Sequence, residues 1–234
     1  MKNVYNAITI IIVSLLFSNL SVNAQHIGFM QSDAFQAGSL LVSVSEGHTA
    51  SVFTTRNIIP NSESPAKAQR SEVIGCRDPF FIEFGVTNHW GVGLSTGTDI
   101  YELNPSKLYG FQRTDNKPIT VSTSDFTFTS SYHFFANKRL DLSAFIDLGG
   151  FNVKFKQKEE DTQSDQYTAN GNLMRIGGRV RYYFFHHFGV FGMVSSYAGH
   201  TSPKKVTDNT IAGNYTTNVS GCAVEAGLCY RFFR

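Results

Sequence analysis

The sequence predicts an all-β fold, eight antiparallel strands closed up-and-down into one barrel, and three observations carry that expectation. Apolar and polar residues alternate with a period of two in eight separate segments. Short and long connections follow one another in strict alternation between those segments. The composition is rich in aromatics and glycine, with 21 Phe, 10 Tyr and 20 Gly against a single Trp. Period-two alternation marks a strand whose two faces meet different surroundings, and many short strands with tight corners use residues of these kinds.

The chain opens on Met1-Lys2, a short basic start, followed by the apolar run Ala7 to Phe17 and then by Val22-Asn23-Ala24. Basic start, apolar run and small residues in that order predict a secretory signal, cleaved after Ala24 so that the mature chain begins at Gln25. The run is too short to cross a bilayer as a helix. The expected organisation is a signal peptide over 1–24, a short segment over 25–35 and one barrel over 36–234. No cysteine follows the cut, so a lipid anchor is not expected there. With a net charge of +2 and scattered Lys and Arg, no electrostatic footprint for nucleic acid appears.

The first predicted strand is Gly38 to Val52, where Gly38, Leu40, Val42 and Val44 alternate with Ser39, Leu41, Ser43 and Ser45. The second, Pro79 to Val86, sets Phe80, Ile82, Phe84 and Val86 against Phe81, Glu83 and Gly85. In the third, Trp90, Val92, Leu94, Thr96 and Ile100 face away from Gly91, Gly93, Ser95, Gly97 and Asp99. The fourth carries Phe126, Phe128, Tyr132 and Phe134 against Asp125, Thr127, Thr129, Ser131 and His133. The fifth alternates Leu140, Leu142, Ala144, Ile146 and Leu148 with Asp141, Ser143, Phe145, Asp147 and Gly149. The sixth sets Met174, Ile176, Val180, Tyr182 and Phe184 against Arg175, Gly177, Arg179, Arg181 and Tyr183. The seventh, Phe188 to Gly199, is apolar on both faces. The eighth, Tyr215 to Phe233, sets Cys222, Val224, Ala226, Leu228, Tyr230 and Phe232 against Ala223, Glu225, Gly227, Cys229 and Arg231.

Thr87 to His89, Ala136 to Arg139 and His186-His187 are the short connections. Polar segments Thr54 to Asp78, Glu102 to Pro118, Gln157 to Gly171 and His200 to Asn214 are the long ones. Alternating short turns and long loops belong to a barrel that crosses a membrane. In a soluble eight-stranded barrel the interior is apolar and the outside polar. Here the charged residues share a face with glycine while the aliphatic and aromatic residues share the other, so the barrel reads inside out.

The final segment Gly227-Leu228-Cys229-Tyr230-Arg231-Phe232 resembles the C-terminal insertion signal of outer-membrane barrels, with Gly227, Tyr230 and Phe232 as its defining residues. Ala226 stands where a polar residue is usual, and Arg234 extends past the customary terminal aromatic. The mature chain as a whole resembles the small eight-stranded outer-membrane β-barrel proteins, of the kind of the OmpA transmembrane domain and OmpX, in a Phe-rich style typical of Bacteroidetes members. The resemblance implies an outer-membrane location in a Gram-negative bacterium. It also implies contact with outer-membrane lipid and lipopolysaccharide, with the barrel-insertion machinery, and with an extracellular ligand or host surface through four outer loops. Function follows far less closely than fold from such a likeness.

Inward parity puts Glu83, Asp99, Asp125, Asp141, Asp147 and Glu225 in one lumen with Arg175, Arg179, Arg181 and Arg231. An eight-stranded lumen is only wide enough for side chains. Charges of both signs there are expected to pair and fill it, with Glu83, Asp125, Asp147 and Glu225 accepting from the three arginines of the sixth strand. A structural or surface-interaction protein is the first function class this supports; a narrow channel or transporter for small solutes is the second. A lipid A-modifying enzyme would need His200 as base, Ser202 as nucleophile and Asp208 as the orienting acid, at a spacing unlike that family's. The expectation is therefore no catalytic residue, no cofactor and no metal, since His186-His187 lacks further ligands nearby in the sequence. The odd set Cys76, Cys222 and Cys229 leaves a thiol over unless two chains join. Cys222 and Cys229 would lie roughly 23 Å apart along a strand, so a Cys76–Cys222 bridge and free thiols packed as small apolar residues both stay open.

Overall fold

Eight long strands form a closed ring, and a ninth, short one pairs with the start of the last. They are β1 (Leu40–Ile58), β2 (Ala68–Gly85), β3 (Trp90–Leu103), β4 (Ile119–Ala136), β5 (Leu140–Lys156), β6 (Gln166–Tyr183), β7 (Phe188–Thr201), β8 (Lys204–Asp208) and β9 (Ile211–Phe232). The computed structural model describes residues 34–58, 68–103, 119–136, 139–156, 166–185, 187–201, 204–208 and 211–232. The expected signal segment, its cleavage site and the residues up to 33 lie outside the described residues, as do 59–67, 104–118 and 157–165 within three of the long connections. From β1 to β7 each strand pairs antiparallel with the next, β7 pairs with β9, and β9 pairs with β1 from Leu40↔Phe232 to Ile58↔Asn214, which closes an eight-stranded barrel. The short β8 pairs only with the start of β9 and extends the wall beyond β7.

The register fixes the tilt. Starting at Ser43 and stepping across paired residues leads through Phe81, Ser95, Thr127, Gly149, Leu173, Gly199 and Val219 to Phe53, ten residues further along β1. A climb of ten residues over eight strand spacings corresponds to strands inclined at about 40° to the barrel axis. Each step from a strand to the next therefore rises by slightly more than one residue. That rise sets which side chains of distant strands meet at one level.

Outward positions carry the apolar residues of the alternation. Ile82, Phe84, Val92, Leu94, Phe126, Phe128, Leu148, Ile176, Val180, Val194, Val224 and Leu228 are all exposed. On β6 the outward apolar run extends from Met174 to Phe184, just past the strand end, which at this tilt covers about 25 Å of the barrel axis, the height of a lipid-facing belt. Aromatics gather at the short-turn end, where Trp90 meets Tyr132 edge-on, Tyr182 meets Phe184 and Tyr230 meets Phe232. A bulge between His133 and Phe135 turns both Phe134 and Phe135 outward into this ring.

The strands are longer than the alternation indicates. β1 continues to Ile58, β2 begins at Ala68 instead of Pro79, β3 runs on to Leu103, β6 begins at Gln166 and β9 at Ile211. Segments expected as loops are thus partly wall. The physical reason is that hydrogen-bonded pairing continues above the belt, where outward positions such as Glu72, Lys154 and Asn170 are polar and the two-faced pattern is lost. The seventh strand, apolar on both faces in sequence, turns Phe191, Met193, Ser195 and Tyr197 inward.

Candidate functional site: the barrel lumen

The lumen is layered. At the long-connection end Phe53, Leu103, Ile119, Val121, Val153, Phe155 and Val219 form an apolar cluster, of which Leu103 was expected in a loop and Val219 in the eighth strand. Beneath it the Tyr101 hydroxyl lies 3.2 Å from Thr49 Oγ1, 3.0 Å from Ser51 Oγ and 3.3 Å from the Tyr197 hydroxyl.

The next layer is ionic and centres on Arg77, whose residue is 2% exposed. Its Nη1 donates to Asp99 Oδ2 and Asp125 Oδ2, each at 2.8 Å, and its Nε donates to Glu225 Oε1 at 3.2 Å. Arg175 donates through Nη2 to the same Asp125 Oδ2 at 3.1 Å and through Nη1 to Asp147 Oδ2 at 3.2 Å. Thr123 adds a hydroxyl donor to Asp99 at 2.8 Å. Two arginines from β2 and β6 thus hold four carboxylates from β3, β4, β5 and β9. Inward glycines make the room: a Cβ on Gly97 would stand 2.7 Å from Arg77 Nη2. This is why charge and glycine share a face in the sequence.

Arg77 is the residue that sequence reasoning missed, because it falls in the segment expected as the loop Thr54 to Asp78. The available signal was parity, since Arg77 and Pro79 continue the inward set of Phe81 and Glu83. Glu225 was expected to accept from the β6 arginines, yet its partner is Arg77. On β9 it sits beside β1, where Gly47 pairs with both Arg77 and Glu225 and lets the two side chains meet over it.

A second ionic group lies toward the short turns, separated from the first by aromatics. The Arg179 guanidinium carbon is 5.0 Å from the centre of the Phe81 ring and 4.9 Å from that of Phe145, a cation–π arrangement that suits a desolvated guanidinium. Arg179 Nη1 donates to Glu83 Oε2 at 3.0 Å, and Arg181 pairs with both Glu83 and Asp141, the latter through Nη1 at 2.8 Å. His133 stands between the same carboxylates, Nδ1 at 2.7 Å from Asp141 Oδ1 and Nε2 at 2.9 Å from Glu83 Oε1. Only an imidazole protonated on both nitrogens donates to both. Among the described residues the buried charges are six carboxylates and five arginines, so such a His133 is the sixth cation.

The short-turn mouth is occupied by the chain's own N-terminal side. Phe35 stacks on His133 with ring centres 3.4 Å apart, and Ala34 and Phe35 are both buried. The segment is pinned by Gly38 N to Gly85 O at 2.7 Å and Ala37 N to Asn88 Oδ1 at 3.0 Å; Gly38 supplies the reversal with a φ of 81°. Arg231 lies at this end with its guanidinium carbon 4.7 Å from the centre of the Tyr183 ring.

The remaining candidates fall elsewhere. His200 faces outward and is hydrogen-bonded to Asn218, Thr201 is buried and accepts from Thr217 N, Asp208 lies in β8, and Ser202 is outside the described residues. Thus the orienting partner of His200 is an amide where a base would need an acid. His187 binds the carbonyl of Arg231 and stacks on Tyr230, while His186 lies outside the described residues. Among the described residues no group of three His, Cys, Asp or Glu is arranged to hold a metal. All three cysteines are free; Cys229 packs in the lumen, and Cys76 and Cys222 are exposed on the outer face, so the Cys76–Cys222 bridge is not formed. On β9, Gly227 lies on the inward face while Tyr230 and Phe232 lie on the outward one.

No protein-family model and no characterised protein matches the sequence. Solved structures resemble its fold. The outer membrane protein OprG from Pseudomonas aeruginosa superposes with a TM-score of 0.53 at 10% identity, over 86% of this chain and 98% of that one. The attachment invasion locus protein Ail of Yersinia pestis aligns with a TM-score of 0.41 at 18% identity, over 84% of this chain and 99% of its own. The closed ring of eight antiparallel strands, apolar outside and charged within, has the fold of a small outer-membrane β-barrel.

Proposed function

We propose that the protein is an outer-membrane barrel of a Gram-negative bacterium with a structural or surface-interaction role. In this reading the lumen is sealed by its ionic and aromatic layers, and the four long connections form the binding surface outside the cell. The observation that carries it is Asp125, shared by Arg77 and Arg175 in mid-lumen. It sits in a network that draws on β2, β3, β4, β5, β6 and β9, tying six of the eight barrel strands to one another across the space a solute would use. Outer-membrane lipid and lipopolysaccharide contact the belt, the β9 end with Gly227, Tyr230 and Phe232 serves the insertion machinery, and no catalytic step is assigned.

One observation favours a second reading, a narrow polar pathway. Between the two ionic groups Ser195 Oγ, Arg179 Nε and Arg179 Nη2 are buried without a protein hydrogen-bond partner, and buried polar atoms ordinarily find one. Planar-bilayer conductance of the purified protein separates the readings. The sealed barrel gives no stable channel, whereas reproducible porin-sized steps would replace it with the transport reading.

A further inference from the structure

The apolar belt is interrupted on one side. On β1 the outward run Leu40, Val42, Val44 gives way to Glu46 and His48, and on β2 Phe80 gives way to Asp78 and Cys76, all exposed except Val42 and Phe80, which are half-buried. Glu46 and Asp78 are neighbours across the β1–β2 pair, between the partners Val44–Phe80 and Gly47–Arg77. Following the climb of the register round the ring, Glu46 is level with Ile176, Asp78 with Leu148 and His48 with Met174, each within about 1 Å. Two carboxylates and an imidazole therefore stand at heights where the far wall carries Ile, Leu and Met. Above them the order inverts again, with Ile74 77% exposed and Ile100 51% exposed. A surface meant for lipid does not place acids below bare isoleucines; shorter apolar spans force the bilayer to thin or the protein to associate.

Two further features say what covers this face. Cys76 pairs with His48 from the β2 side, and Cys222 pairs with Ala50 from the β9 side. Because the rows climb from β9 to β1 to β2, these two exposed thiols stand on opposite sides of β1 within about 1 Å of the same height. The surface between them also carries its own complement, an imidazole and two carboxylates within about 5 Å of height, with the small side chains of Ala50 and Ala226 beside them. A twofold axis parallel to the barrel axis and facing β1 lays β1 on β1 and β2 on β9, and an isologous contact repeats each pairing twice.

We propose that the outward face of β9, β1 and β2 is the contact surface of a homodimer, with His48 directed at the partner's Asp78 and Cys76 opposite the partner's Cys222. The inference rests on residence in a membrane, since lipid is what makes exposed Glu46 and Asp78 unfavourable. The test uses the thiols as they occur. Outer membranes from cells making the full chain are treated with a short bis-methanethiosulfonate, which joins two thiols without an oxidant. The wild type gives a band of twice the monomer mass, C76S alone and C222S alone lose it, and co-expressed C76S and C222S chains with different tags regain it with both tags present. In a C76S/C222S background, Ile146→Cys on the opposite wall gives none.

Linking of C76S chains to each other, linking through Ile146→Cys, failure of the mixed pair, or a product of another mass would each overturn the homodimer. Recovery of the protein in the outer-membrane fraction without linking would do so while leaving its location intact. Independently of the thiols, Glu46→Leu with Asp78→Leu restores the belt. In detergent sedimentation it should raise the dimer dissociation constant at least tenfold, and an unchanged constant would count against the proposal.

Discussion

Arg77→Met removes the guanidinium on which the upper ionic layer converges and keeps most of the side-chain volume. Asp125 retains Arg175, but Asp99 is left with Thr123 and Glu225 loses the 3.2 Å bond to Arg77 Nε. Both carboxylates are buried in the lumen, and a buried pair stripped of one partner costs about 3 to 5 kcal/mol because the other charge stays behind. Arg70→Met is the matched control: its pair with Glu72 has side chains 66% and 74% exposed, and exposed pairs contribute about 0 to 1 kcal/mol. Urea unfolding of the refolded barrel in detergent, followed by the boiling-sensitive mobility shift and by tryptophan fluorescence, measures both. Neutralising the stranded acids in Arg77→Met/Asp99→Asn/Glu225→Gln should recover at least half of the loss, since the penalty lies in the unpaired charges. Equal effects of Arg77→Met and Arg70→Met, or no recovery in the triple variant, would refute the reasoning.

Gly97→Ala puts a methyl group 2.7 Å from Arg77 Nη2 and should cost about 1 to 3 kcal/mol by overpacking; the cost should shrink in the Arg77→Met background, read as a coupling in a double-mutant cycle. Val180→Arg, on the outward face of β6 near mid-belt, should cost about 2 to 4 kcal/mol in a bilayer, while Asn172→Arg above the belt costs about 0 to 1 kcal/mol. Equal effects at the two sites would mean that the belt does not face lipid. Phe35→Ala removes the ring stacked on His133 and should lower the unfolding midpoint by the equivalent of about 3 kcal/mol, the range for losing a buried Phe; an unchanged midpoint would mean that the segment adds nothing to the barrel.

Most of the wall was legible in sequence because lipid-facing positions impose a strong period of two. The inward set of β6, Arg175, Arg179 and Arg181, follows directly from Met174, Ile176 and Val180 facing out. The signal fails where the outward face is not apolar. Arg77 was hidden because its outward neighbours are Cys76 and Asp78, and the upper halves of β1, β2 and β6 were hidden for the same reason. Partner choice in the lumen was legible only in part: Glu83, Asp125 and Asp147 meet arginines of β6, whereas Glu225 meets Arg77. Parity says which side chains enter, but only the register and the climb of ten residues per turn say that Glu225 meets Arg77 and Glu83 meets Arg179 and Arg181.

The β1–β9 seam also dictates an order of assembly. Those strands are far apart in the sequence, so their pairing carries the largest loop-closure entropy in the molecule, whereas every other pairing joins strands close in the chain. Arg77 and Glu225 sit on either side of that seam, on β2 and β9, reaching each other over Gly47. Their bond forms only when the last strand docks on the first. In an unclosed sheet Arg77 can be satisfied by Asp99 and Asp125 alone, and Glu225 waits without its guanidinium. The pair thus acts as a latch that is set at the final step and favours the completed ring over every open intermediate.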